Sequence, residues 1–317
     1  MTKNVLLTGG FGTLGGRLAA ILAQNSEINL RLASRIKRSA PQWAPRADTR
    51  EVDFEDTGSI KDMVRDITHV VHLVAMTDFE SRAEPEKAKH VNIEYTRRVL
   101  EQCQKNTRFI YLSTIQVYGS DLTGHISEKT ATNPSDVYSQ THLEAEHLVK
   151  SAHTNGLVQG LSLRNANGFG APMSPDAKIW QIIANDLCRQ AVEKKQMVLK
   201  SHGMQHRNFI TFTDICTAID HSLKMSTELI GDGTFNLGGE TTLKILEMAE
   251  LVATSCKATL GFKPDLKVLG TPPEALPEKF IYDSTKLRST GLQLETRLAD
   301  EIDGLLRTCQ IWFGQSR

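Results

Sequence analysis

The sequence of 317 residues has no excess of charge of either sign: 37 Lys and Arg stand against 37 Asp and Glu. Zero net charge removes the electrostatic argument for a nucleic acid or an anionic membrane as partner. No apolar run approaches the roughly 18–20 residues needed to cross a bilayer. The N-terminus has no charged stretch leading into an apolar one. It passes from Met1 into a strand-like run, so the expected location is the cytoplasm. The five cysteines, Cys103, Cys188, Cys216, Cys256 and Cys309, lack both CxxC and metal-ligand spacing. They read as buried free thiols in a reducing compartment. His202 and His206 have no Cys, Asp or Glu at ligand spacing, so no metal site is expected. Repeats, low-complexity tracts and flexible linkers are also missing, which predicts two lobes sharing one core.

What is present is alternation. Strand-like runs at residues 4–8, 29–33, 49–54, 69–75 and 108–113 alternate with helical patterns at 15–24, 58–66 and 90–105. Short apolar strands separated by helices predict βαβ units and a parallel sheet. The fold class is therefore α/β, a Rossmann-like doubly wound parallel sheet with a smaller mixed C-terminal lobe. Pro172, Pro175, Pro264, Pro272, Pro273 and Pro277 mark irregular connections in the second half. The expected division is a dinucleotide-binding domain over 1–171, joined again by segments near 205–240, and a substrate lobe over 172–317.

TGGFGTLGG, Thr8 to Gly16, lies between the first strand and the first helix. Gly10, Gly12 and Gly15 satisfy G-x-G-x-x-G, and Gly9, Gly12 and Gly15 satisfy G-x-x-G-x-x-G. Such a turn brings backbone close to a pyrophosphate at a helix N-terminus, with Thr13 and Leu14 in its first turn. An acid at the end of the second strand would bind the ribose 2′-hydroxyl of NAD, whereas Arg suits a 2′-phosphate. The second strand ends in Ser34, Arg35, Lys37 and Arg38 with no acid. This favours NADP over NAD, the other reading being a solvated basic loop. Asp53, followed by Phe54, is placed to meet the adenine, or else to cap the next helix.

These motifs and those further along the chain resemble the extended short-chain dehydrogenase/reductases, in the branch of nucleotide-sugar epimerases, dehydratases and ketoreductases. TGGFGTLG is similar to the TGxxGxxG turn. HLVA (72–75), VNIEYT (91–96), LSTIQVYG (112–119), RNANGFG (164–170), RNFITFTDI (207–215), FNLGG (235–239) and DSTKL (283–287) resemble later family segments in order. The resemblance implies cofactor contacts at Leu73, Ala75, Asn92 and Ser113, and a substrate contact at Thr77. It implies Thr114 and Tyr138 as the catalytic pair, with Asn167 and Arg207 against the diphosphate of a nucleotide-linked sugar. Asn167 also reads as a loop cap and Arg207 as a surface ion pair. The apolar stripe over 143–149 suits either the family's helical homodimer or simple core packing.

One position departs from the pattern. Tyr138 should be followed four residues later by Lys, and the residue there is His142. A Lys ammonium about 4 Å from a phenol, at an effective dielectric of about 20, favours the phenolate by about 4 kcal/mol, or roughly 3 pKa units. Imidazole is mostly neutral at pH 7 and does not supply that charge. Tyr138 is then expected to rest protonated, which suits a reductase, unless another Lys or Arg replaces the missing cation. His142 itself is expected to hold a cofactor ribose or to pass a proton. Ile115 and Gln116 stand where dehydratases of the family carry Asp and Glu, which argues against dehydration. The sequence reading is an NADPH-dependent ketoreductase of a nucleotide-linked sugar. The alternatives are an NAD-dependent epimerase, a reductase of a non-sugar ketone, and an inactive NADP-binding regulatory protein.

Overall fold

A computed structural model describes residues 2–314. Seven strands form one sheet: β1 (Lys3–Thr8), β2 (Ile28–Ser34), β3 (Asp48–Glu51), β4 (His69–His72), β5 (Thr107–Thr114), β6 (Val158–Asn165) and β7 (Thr234–Leu237). Their order is β7-β6-β5-β4-β1-β2-β3, and every pair is parallel. The sheet winds in one direction from β1 to β3 and in the other from β4 to β7. The groove beyond the ends of β1 and β4 is the switch point where such sheets take ligands.

Continuous apolar runs suit strands covered on both faces. In β1, Val5, Leu6 and Leu7 are fully buried; Val5 and Leu7 pack on one face of the sheet and Leu6 on the other. Helix α1 (Thr13–Leu22) lies on the first of these through Leu18, Ala19 and Leu22. Helix α2 (Val137–Thr154) covers the opposite face at β5 and β6 through Ala145, Val149 and Ala152. Leu143 and Leu148 also pack against the chain's own core, while Gln140, Glu144, His147 and Lys150 are exposed.

Helices α3 (Ile183–Lys194), α4 (Ile245–Leu260) and α5 (Leu298–Phe313) build a second core around Leu187, Val252 and Leu305. Cys188, Cys256 and Cys309 are buried free thiols within it, all pushed to higher pKa by burial. The lobes are tied together at α1: Arg17 pairs with Glu301 of α5 and donates to Thr213 at 2.7 Å. Among the described residues no helix is long and apolar enough to cross a membrane.

Three elements differ from their sequence expectations: the third strand, expected to residue 54, ends at Glu51, and two others differ nearer the site. The fourth strand stops at His72; the Leu73 N–H is shared between the Thr8 carbonyl and hydroxyl, both at 3.3 Å, and residues 73–75 continue without strand pairing. The helical run at 90–105 is broken into a π-turn at His90–Glu94 followed by an α-helix at Tyr95–Gln102. The wider turn seats the buried Asn92, whose amide joins Met76 to Thr141.

Candidate active site

The glycine turn is compact because glycine is required there. Gly9 has φ +75, and a Cβ on Gly15 would lie 2.1 Å from the Gly9 carbonyl oxygen, so α1 packs directly on the turn. Gly12 is the N-cap of α1 and offers no side chain to it. The first-turn amides around Thr13 and Leu14 therefore face the groove without a capping group. Beneath the turn, the His72 ring spans Thr8 Oγ1 (2.9 Å) and Thr96 Oγ1 (3.2 Å). Burial pushes His72 down to about 4.

At the end of β2, Ser34 accepts the Ile36 N–H at 3.3 Å. Arg35, Lys37 and Arg38 are exposed and make no ion pair among the described residues; Arg38 lies over the Phe11 ring at 5.0 Å. Arg31 and Arg50 nearby are by contrast both paired to Asp48. The Asp53 carboxylate accepts the Glu55 N–H at 2.9 Å, while the cap of the following helix is Asp56. Phe54 is buried and stacks on Tyr95 at 4.7 Å, and its carbonyl accepts from Arg98 at 3.1 Å. Ala75 is exposed and Leu73 half-buried at the end of β4, where the Leu73 carbonyl lies against Gly9.

The candidate reacting pair, Thr114 and Tyr138, comes from β5 and the first turn of α2. Asp136 caps α2 and accepts the Ser139 N–H at 2.8 Å, which places Tyr138 one residue inside the helix. Thr114 Oγ1 accepts the Gln116 N–H at 3.2 Å, which leaves its own proton uncommitted. Burial pushes the phenol up to about 12; the Thr114 hydrogen bond works against this, and Asp78 and Asp136 add to it. Among the described residues no Lys or Arg is close enough to lower it. His142 lies beneath Tyr138, ring centroids 4.2 Å apart, and burial pushes it down to about 4. Ser113 does not present its hydroxyl to the groove. It donates to Glu146, which also binds Arg164 at 2.7 Å in a sealed ion pair.

A cleft of about 450 Å³ opens beside this pair, lined by Gln116, Asp136, Asn167 and Arg207 among others. Arg207 is half-buried, has no carboxylate partner among the described residues, and donates to the His206 carbonyl at 2.9 Å. Asn167 donates to the Asn208 carbonyl at 3.0 Å, leaving its amide oxygen open. Thr77 is outside the cleft lining: it caps the helix Asp78–Ala83 in a capping box with Glu80. Asp78, Arg82 and Asp136 form a charged lip near Tyr138 that the sequence reading missed. Arg82 binds Asp78 at 2.9 Å and approaches Asp136 at 4.0 Å. The i,i+4 spacing of Asp78 and Arg82 was a visible signal for that pair; its nearness to Tyr138 was not. His202 accepts the Met204 N–H at 3.0 Å, a local structural role.

Residues 5–238 match the model of the NAD dependent epimerase/dehydratase family. Among curated relatives, D-erythronate dehydrogenase of Haemophilus influenzae is 31% identical over 167 residues, 50% of this chain and 53% of that protein. The chain spans only about half the length of that relative, and 58% of a second D-erythronate dehydrogenase, from Cupriavidus necator. dTDP-glucose 4,6-dehydratase of Streptomyces niveus is 26% identical over 328 residues, covering 99% of this chain and 93% of that one. UDP-glucuronic acid 4-epimerase from Bacillus cereus, solved with UDP-glucuronic acid and NAD, is similar in structure with a TM-score of 0.81. Its identity is 23%, over 97% of this chain and 99% of that chain, a likeness of fold.

Proposed function

Because the chain belongs to the NAD dependent epimerase/dehydratase family, we propose that it is an NADPH-dependent ketoreductase acting on a nucleotide-linked sugar. The observation that carries this reading is the setting of Tyr138: its ring lies 4.2 Å from that of His142, and among the described residues no Lys or Arg is near enough to ionise it. The groove fits a dinucleotide: the uncapped α1 terminus suits a pyrophosphate, and the unpaired Arg35, Lys37 and Arg38 suit a 2′-phosphate. When bound, the reduced nicotinamide supplies hydride to a carbonyl carbon. The carbonyl oxygen takes on negative charge, and Tyr138 gives it the phenolic proton. Thr114 bonds the phenol and shares in stabilising the charge. Arg207 offers an unpaired fork of donors to the diphosphate, and Asn167 its open amide oxygen to a neighbouring hydroxyl. A homodimer is part of the same proposal, checked by sedimentation velocity.

An NAD-dependent epimerase is the second reading, favoured by the likeness to UDP-glucuronic acid 4-epimerase. It requires Tyr138 to start as a base, which its surroundings oppose. The deciding experiment is a fluorescence titration with NADPH and NADH, followed by reduced-nicotinamide absorbance with a panel of keto-sugar nucleotides. D-Erythronate with NAD and NADP belongs in the same panel. NADPH preference with substrate-dependent loss of absorbance is the expected result. NADH preference and sugar epimerisation without net oxidation would sink the reductase.

A further inference from the structure

A second cleft, of about 470 Å³, shares no lining residue with the first. Its size suits a small molecule. It opens where the two hydrophobic cores meet. Ile210 and Leu294 in its wall belong to the core on the α1 face of the sheet, and Phe209 and Leu298 to the core of α3, α4 and α5. A Cβ on Gly239 would collide with the Phe209 carbonyl, so the wall there is bare backbone. Asp214 lies in the same wall and is only 6% exposed. It stands in the first turn of the helix Phe212–Lys224, where the helix dipole favours a carboxylate. The cap of that helix is Thr211, which accepts the Asp214 N–H at 2.9 Å, so capping does not occupy the Asp214 side chain. Asp214 Oδ1 accepts the Thr296 N–H at a long 3.3 Å. Among the described residues Oδ2 accepts nothing, and no cation pairs with the carboxylate.

A buried carboxylate without a counter-charge is costly, and a bound cation removes that cost. Arg288 lines the same cleft with the opposite charge. It is half-buried, and its one carboxylate partner among the described residues, the largely exposed Glu240, is 3.6 Å away, beyond hydrogen-bond reach. Arg297 at the rim is by contrast engaged by Asp300 through two bonds of 3.0 Å. Among the described residues no three His, Cys, Asp or Glu could hold a metal ion, which favours an organic cation at Asp214. We infer that the second cleft binds a small zwitterion of the amino-acid type, with its ammonium on Asp214, its carboxylate on Arg288 and an apolar side chain against Leu294 and Leu298. The ammonium supplies the donor and the charge that Asp214 lacks, and the carboxylate matches the guanidinium fork. The inference stands apart from any nucleotide or keto sugar. The strand His206–Thr211 carries Arg207 in the first cleft and Phe209 and Ile210 in the second, so an occupant of one touches the strand that serves the other.

The test is isothermal titration calorimetry of the full chain, without cofactor, against leucine, valine and methionine. Two analogues of leucine accompany them, each lacking one charge: 3-methylbutylamine and 4-methylpentanoic acid. At least one amino acid should bind, and the analogues should bind it at least about tenfold more weakly than the amino acid they derive from. Asp214→Asn keeps an acceptor for the Thr296 N–H but removes the charge, and it should weaken the bound amino acid at least about tenfold. Arg288→Gln should do the same from the other end. No heat with any of the three amino acids at about 10 mM, an analogue that binds as well as leucine, or a variant of either residue that binds as the parent does would each overturn the inference. If Asp214→Asn does not fold, the analogue series and Arg288→Gln still decide. A chain that binds the amino acid but reduces no keto sugar keeps this site and loses the ketoreductase reading.

Discussion

His72 and His142 are both buried, both neutral, and both held near a pKa of about 4 by loss of water. They differ in their valences. His72, under the glycine turn, has both ring nitrogens bonded to threonine hydroxyls. His142, under Tyr138, has one nitrogen bonded and one open. The same contrast separates the interior from the lip of the groove. Glu146, Arg164 and Ser113 are bonded to one another inside, with the sealed Tyr111 hydroxyl one exception; Arg35, Arg207 and Tyr138 keep capacity for a ligand. A perturbed pKa therefore does not identify a functional group here. A free donor or acceptor at the surface of the groove does.

Changes on the open side should cost turnover or binding, and changes on the sealed side should cost stability. The largest expected effect is Tyr138→Phe, which removes the proposed proton donor. Turnover of a keto-sugar nucleotide should fall about 10²- to 10⁴-fold, with NADPH affinity from fluorescence nearly unchanged. Arg35→Ala should weaken NADPH about tenfold to a hundredfold while leaving NADH alone; equal loss for both would remove the 2′-phosphate assignment. His142→Gln and His72→Phe test the comparison itself. The first should weaken NADPH by about threefold to tenfold with little change in urea midpoint. The second should cost about 1–3 kcal/mol of stability with NADPH affinity kept. If both changes act alike on binding, the contrast fails.

A smaller effect is expected with pH. The folded pKa of each ring lies below its unfolded value of about 6.5, so the unfolded chain binds protons first. Stability is full above about pH 6.5 and falls as pH drops toward about 4. Urea unfolding across this window should show that slope, and each single His variant should reduce it by about one proton. The smallest effect should be Arg50→Ala, which removes a half-exposed pair with Asp48 and should cost under about 1 kcal/mol.

Much of the frame was legible. The turn from Thr8 to Gly16 declared the first strand, the first helix and the groove between them, because glycine spacing is a backbone requirement written in one-letter code. The missing acid after β2 was equally readable. The T-x-x-E pattern of Thr77 and Glu80 was a capping signal in plain view, and it explains why the Thr77 hydroxyl is occupied. What could not be read depended on distant partners. Nothing adjacent in sequence says that Glu146 takes the Ser113 hydroxyl, or that Asp56 rather than Asp53 caps the next helix. The link from Met76 through Asn92 to Thr141 runs by way of a π-turn that leaves no periodic trace.

Arg17 of α1 and Glu301 of α5 stand 284 residues apart in sequence. A contact of that separation closes a very long loop and belongs among the late events of folding. The helix that packs on the glycine turn is thereby fastened to the far lobe by a pair that neither lobe can make alone.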